Sequence, residues 1–332
     1  MSKIGAVTET SWSGVPALRL EEQTAGSKAM IAPTLGGNLF SLEIDGREVL
    51  RRPPDADALK REPSRWGVPV LMPPNRIAGA RFTFNNREYR LEANTPEGHH
   101  IHGFPLRRPW RVEKTDVTDH GAVRVVLQFS AADHPDVLEQ FPHPFVLTLT
   151  YTLEGKSLRC DSHIANNGDT PMPFGLGFHP YLSAPEPENF GEDDRWAVRL
   201  SPALAWESED KIPTGRFYEP EGAYDLRDWQ PLHAVRRDGG YKLTAPDADG
   251  WSRFQLKDKR TGRLTTLRAD SNYTHWVIFN GFPGFCGFIS PEPYTCMTNA
   301  FNLQHLPAET TGMKVIAPQT AQPAGTWILE LE

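Results

Sequence analysis

Apolar side chains recur at every second position through most of this chain, and a period of two commits a backbone to strand. Phe145, Leu147, Leu149, Tyr151 and Leu153 alternate with Val146, Thr148, Thr150 and Thr152. Glu154-Gly155-Lys156 then makes a turn, and Leu158, Cys160, Ser162 and Ile164 resume the alternation, so the two runs form a hairpin. Val123, Val125, Leu127 and Phe129 give another strand. Phe82 and Phe84, then Asn85-Asn86, then Tyr89 and Leu91, predict a second hairpin with a tight turn. Phe40, Leu42 and Ile44 run into Asp45-Gly46. Phe254 and Leu256 run through Thr261-Gly262 to Leu264 and Leu267. Trp327 to Leu331 reads as a terminal strand. Helical periodicity is confined to about two turns at Asp55 to Arg61 and one at Pro135 to Gln140. Strands at short intervals joined by hairpin turns predict an all-β fold, a large antiparallel β-sandwich with few short helices.

The 30 prolines and 27 glycines fit many strands joined by ordered turns. No composition break, low-complexity linker or internal repeat divides the 332 residues, so one domain over 1–332 is expected. The acidic, proline-containing stretch 185–194 reads as a surface loop. A net charge of −7 argues against a nucleic-acid or anionic-membrane surface. The apolar run from Trp276 to Ile289 is interrupted by Asn280, Gly281, Pro283 and Gly284, so it predicts no membrane span. The Met1-Ser2-Lys3-Ile4 start has no apolar stretch behind it. Cys160, Cys286 and Cys296 are odd in number and lack metal spacing, so they read as reduced, buried thiols. A cytoplasmic protein is expected.

Three separated segments carry groups suited to proton transfer. Glu292 lies between two prolines at the end of an apolar run, where a carboxylate at the rim of a sheet would have its charged form disfavoured and could serve as a general base. The alternative is a salt-bridged glutamate at a strand end. His179 follows two glycines and precedes Pro180-Tyr181. It reads as a proton donor, or as a core histidine bonded to a carbonyl. His99, His100 and His102 are crowded; on a strand, His100 and His102 would share a face. His-x-His can chelate, but no further ligand cluster accompanies it, so no metal is expected. His102 is the better ligand contact and His100 the second. Asn75-Arg76 follows a proline-rich turn that can deliver the guanidinium to several hydroxyls. Asp238, before Gly239-Gly240, can accept from hydroxyls or act as a turn residue.

Together these segments resemble the aldose 1-epimerases, the galactose mutarotase family. Asn75-Arg76-Ile77 with Gly79 and Phe82 is similar to the family's Asn-Arg-Ile segment, and His102-Gly103 with Trp110 to its His-Gly segment. Asn166 to Tyr181, with Pro173, Gly177, His179 and Pro180, is similar to its Gly-x-His-Pro run. Glu292-Pro293-x-Thr295 followed by Asn299-Ala300-Phe301-Asn302 is similar to its Glu-Pro-x-Thr run. The resemblance covers nearly the whole chain in order. It implies a large antiparallel β-sandwich with Glu292 as general base and His179 as general acid. Arg76, His102, Asp238, Asn75 and His100 would contact the substrate. The sequence His102-Gly103-Phe104-Pro105 departs from the usual His-Gly-Gly, and Arg237-Asp238-Gly239 from the usual Leu-Asp-Asp. Asp225 reads as structural.

The implied reaction interconverts the α and β anomers of an aldose by ring opening and closure, with no cofactor. Phe104 or Trp276 would stack on the sugar. The expected partner is a small-molecule sugar, with the protein a monomer or homodimer. Two other readings stay open: a hexose-6-phosphate 1-epimerase using Arg81, Arg107 or Arg108 for the phosphate, and a non-catalytic carbohydrate-binding protein on the same fold.

Overall fold

The structure is a computed structural model that describes residues 5–184, 195–235, 238–281 and 287–332. Cys286 and the acidic stretch 185–194 lie outside the described residues. The strand Phe145–Glu154 buries Phe145, Leu147, Leu149, Tyr151 and Leu153 completely and leaves its valine and threonine face half-covered, as the alternation requires. It pairs with Ser157–Asn166 through the turn at Gly155. Asn85 and Asn86 both have positive φ, the geometry of a two-residue hairpin turn joining Arg81–Phe84 to Arg87–Arg90. Asp45-Gly46 turns the same way between Asn38–Ile44 and Arg47–Glu48. Two of the three short helices among the described residues fall where the sequence places them, at Ala56–Arg61 and Pro135–Gln140, and the third is Ala308–Thr311; the side chain of Asp55 caps the first by accepting from the Ala58 amide.

Every strand pair among the described residues is antiparallel, and most of the strands assemble into two large sheets. The first, in spatial order, is Arg111–Val117, Val123–Ser130, Phe145–Glu154, Ser157–Asn166, Thr320–Leu331, Leu264–Ala269, Ser252–Asp258, Trp196–Leu200 and Gln230–Pro231. The second is Ile212–Tyr218, Ala203–Glu209, Asp238–Leu243, His275–Phe279, Phe288–Tyr294, Gly177–Phe178 and Val70–Leu71, with Leu182–Ser183 also paired to Phe288–Tyr294. The sheets meet face to face. The Phe178 ring of the second sheet packs edge-on against Trp327 of the first at 5.5 Å, and Trp276 Nε1 donates to Ser252 Oγ at 3.3 Å. A smaller meander of five strands from Gly5 to Glu48 packs on the outer strands of the first sheet.

Among the described strands of more than three residues, Phe288–Tyr294 alone is buried at every position. The sequence places Glu292 where this strand ends; the structure continues the strand through Glu292 to Tyr294. Along one edge it pairs in full with His275–Phe279. Along the other it pairs only near its ends, Leu182 with Ile289 and Gly177 with Tyr294. The unpaired stretch contains Pro291 and Pro293, which have no N–H to give a ladder. The chain runs in one register on both sides of this gap, and that register sets His179 opposite Glu292.

Candidate active site

Alternation on Phe288–Tyr294 puts Ser290, Glu292 and Tyr294 on one face. Glu292 is 1% exposed and His179 5% exposed, and His179 Nε2 stands 3.3 Å from Glu292 Oε1. The flanking side chains fix both groups. Ser290 Oγ donates to the Pro180 carbonyl at 2.8 Å, so the 2.7 Å contact to His179 Nδ1 has the imidazole N–H donating to the serine oxygen. Tyr181 stacks flat on the His179 ring at 4.6 Å and donates its hydroxyl to the Ser64 carbonyl. With the Tyr181 proton given to Ser64, His179 Nε2 faces two oxygens that can accept, Glu292 Oε1 and the Tyr181 hydroxyl oxygen at 3.4 Å. The second carboxylate oxygen of Glu292 accepts from the Tyr294 hydroxyl, which in turn receives Asn75 Nδ2 at 3.4 Å. Asn75 Oδ1 accepts from the Arg76 backbone N–H at 2.9 Å and from its guanidinium at 3.2 Å.

Burial decides the electrostatics of this pair. It drives the Glu292 carboxyl well above the ordinary carboxylate range, against the opposing hydrogen bond from Tyr294, with the charge of Asp238 adding to the rise. Burial also drives the His179 imidazole well down, and His102 adds to the fall. One proton shared between Nε2 and Oε1 answers both penalties. Tyr181 and Tyr294 are pushed well up by burial first and by Glu292 second, so both stay neutral hydroxyls.

The pair lies at the floor of a cavity of about 440 Å³ lined by Ser64, Arg65, Asn75, Arg76, Ile101, His102, Lys211, Asp238 and Phe279. That size suits a small-molecule site. Of the residues named from sequence, Glu292, His179, Arg76, Asn75, His102 and Asp238 all meet here. Asp238 begins its strand opposite Phe279, with Lys211 Nζ 4.0 Å from its carboxylate. His102 stands edge-on to His179 at 5.6 Å; burial first, then Arg76, holds its imidazole down to about 3, so it is neutral.

Three expectations need correction. His100 and His102 do not share a strand face: His102 has φ 70, which ends the two-residue strand at Ile101. His100 turns away, donating Nδ1–H to the Glu92 carbonyl at 2.8 Å, and lines a neighbouring cavity instead. Trp276 is in the core and Phe104, also buried, lines the neighbouring cavity, so neither borders the cavity over the pair, where Phe279 and Tyr181 are the aromatic rings on the wall. Of the arginines considered for a phosphate, Arg108 is held by Asp136 and the Phe104 carbonyl. Arg107 faces the neighbouring cavity, and Arg81 lines neither. Sequence reasoning missed Ser290, Tyr294, Arg65 and Lys211. The first two were within reach, two residues either side of Glu292 on the same strand face.

Among the described residues no group of three or more His, Cys, Asp and Glu side chains is arranged to hold a metal ion. The sequence model of a family described as aldose 1-epimerase matches residues 18–315. The chain belongs to the aldose 1-epimerase family. A galactose mutarotase-like protein from Clostridium acetobutylicum has the same architecture, with a TM-score of 0.88 and 26% identity over 100% of this chain and 99% of that one. Galactose 1-epimerase from Lactobacillus acidophilus, at 16% identity and a TM-score of 0.77, shares the fold over 100% of this chain and 99% of its own. The chromosomal LacX protein of Lactococcus lactis subsp. lactis is 25% identical over 80% of this chain and 84% of its own length. Rat galactose mutarotase is 28% identical over 61% of this chain and 55% of its own length. The aldose 1-epimerase family assignment makes the chain a carbohydrate epimerase in class, and among the described residues no helix is long and apolar enough to cross a membrane.

Proposed function

We propose that the protein is an aldose 1-epimerase that interconverts the α and β anomers of a free aldose. The observation that carries this reading is the His179–Glu292 pair, 3.3 Å apart, buried, and opposed across the gap in the ladder along Phe288–Tyr294. Mutarotation needs an acid and a base acting on two oxygens of one carbon, so the two groups must stand close together. With the shared proton on His179 Nε2 and Glu292 ionised, Glu292 takes the proton from the C1 hydroxyl while Nε2–H gives one to the ring oxygen. The C1–ring oxygen bond breaks, C1 becomes an aldehyde, and rotation about C1–C2 presents its other face. The ring hydroxyl then attacks C1 as its proton returns to His179, and Glu292 returns a proton to the carbonyl oxygen. Arg76 and Asp238 hold the distal hydroxyls while C1 turns. A binding module needs no such pair, and hydrolysis of a glycosidic bond needs two carboxylates flanking it.

A phosphorylated hexose is the second reading, favoured by Arg65 and Lys211 on the cavity wall. Anomer exchange measured by NMR at equilibrium, on glucose, galactose, xylose, arabinose and glucose 6-phosphate, tests both. Acceleration of the neutral sugars above the 6-phosphate supports the first reading. Acceleration of the 6-phosphate alone supports the second, and no acceleration of any sugar refutes both.

A further inference from the structure

A cavity of about 380 Å³ opens where the Arg47–Glu48 strand, the Leu182–Ser183 strand and the hairpin of Ser252–Asp258 and Leu264–Ala269 meet, and it shares no lining residue with the active site. Its charged lining is Arg47, Glu48, Arg195, Asp258, Arg260 and Arg263. Both acids are consumed inside the protein. Glu48 accepts from the Ser41 hydroxyl and the Leu42 amide. Asp258, 3% exposed, takes the Arg195 fork through Nε at 3.1 Å and Nη2 at 2.8 Å, and it also accepts from the Arg260 amide at 3.0 Å.

Arg47, Arg260 and Arg263 are left with no ion pair among the described residues. Acids are plentiful in a chain of net charge −7, yet the two on this wall are already taken. Arg263 Nη1 is moreover buried without a hydrogen-bond partner. Buried donors are nearly always satisfied, so an acceptor for this nitrogen is expected from a ligand. Guanidinium forks match the several oxygens of a phosphate dianion, and three cations exceed what one carboxylate would neutralise. Val49 and Leu331 add apolar surface to the same wall, and the volume leaves room for a carbon skeleton beside the anion.

We propose that this cavity is a second ligand site, separate from the anomer-exchange site, that binds the phosphate group of a small molecule. The phosphate oxygens meet Arg47, Arg260 and Arg263, while Asp258 holds Arg195 in the wall beside them. The proposal stands on this cavity alone and does not depend on the reaction at His179 and Glu292.

The test is isothermal titration of the full chain with inorganic phosphate and with glycerol 3-phosphate, in about 0.1 M sodium chloride so that loose surface attraction is screened. Wild type is compared with Arg263→Gln, with Arg47→Ser/Arg260→Ser, and with Arg65→Ala/Lys211→Ala, which removes cations from the active-site cavity instead. Arg47 and Arg260 are exposed, so their replacement leaves the fold in place, and circular dichroism checks all three variants. The expected result is a Kd of about 1 mM or tighter for at least one of the two probes. Arg263→Gln and Arg47→Ser/Arg260→Ser should each weaken it by about tenfold or more, with Arg65→Ala/Lys211→Ala within about twofold of wild type. Tighter binding of glycerol 3-phosphate supports the site and assigns it to a phosphate ester; binding of inorganic phosphate as tight or tighter supports it and assigns it to the free ion. A Kd weaker than about 10 mM for both probes overturns the site. So does an affinity that Arg65→Ala/Lys211→Ala abolishes, or one that neither of the other variants changes.

Discussion

The Ser290 hydroxyl gives its single proton to the Pro180 carbonyl, and that small fact sets the tautomer of the histidine beside Glu292. With Nδ1 donating, Nε2 is the atom aimed at the substrate. Ser290 is thus a positioning residue. Ser290→Ala should lower kcat for anomer exchange by about tenfold, the worth of one orienting hydrogen bond, with KM nearly unchanged and part of the rate restored in Ser290→Thr. A matching rise in KM, or an unaltered kcat, would remove that role. The sequence leads to Glu292, His179, Asn75, Arg76, His102 and Asp238 because each sits in a motif of distinctive residue types. Ser290 and Tyr294 carry no such mark and become visible only once Phe288–Tyr294 is known to be a strand. Lys211 is hidden further, in the turn between Ala203–Glu209 and Ile212–Tyr218, where Asp210 and Lys211 both have positive φ.

Among the elements, the hairpins are the most legible, since alternation and paired turn residues point to the same register. The Gly5–Trp12 strand escapes because its exposed centre, Thr8 and Glu9, has no apolar partner pattern. The sequence places Glu292 at a strand end because it closes an apolar run, and prolines are rare in a central strand. Here Pro291 and Pro293 lie on the edge where the ladder opens, and that opening admits the His179 ring. Close packing holds the opening in shape. A Cβ on Gly177 would stand 2.4 Å from the Tyr294 ring, whose hydroxyl holds Glu292. Gly177→Ala should displace that ring and cut kcat by about tenfold or more, beyond any fall in the thermal midpoint. Full activity in the folded variant would show that Tyr294 does not position Glu292. Gly103 is constrained differently, with φ 68 and a would-be Cβ 2.1 Å from the Met72 carbonyl oxygen, so alanine there should cost stability.

At the scale of the whole molecule, burying so many histidines makes the fold sensitive to acid. Burial drives His275 down to about 3 and His143 down to about 4. Below about 6.5 the unfolded chain takes up a proton at each position and the folded protein does not, so stability falls with pH until those lower values are reached. Each such proton is worth about 1.4 kcal/mol per pH unit. Glu292 and Glu48, both raised chiefly by burial, act in the opposite sense, since the folded protein takes their protons first as pH falls. With His100, His102 and His179 also held low, the histidines outnumber them. The urea midpoint should therefore be lower at pH 5 than at pH 7. An equal or higher midpoint at pH 5 would contradict this balance.

The architecture as a whole assembles one buried acid and base, and the most direct test removes the base. Anomer exchange of glucose and galactose should be followed by NMR in wild type and in Glu292→Gln, with circular dichroism confirming that both are folded. The expected result is accelerated exchange in wild type and a loss of about 10²–10⁴-fold in Glu292→Gln. Wild-type exchange retained by the folded variant would contradict the assignment of Glu292 as the base.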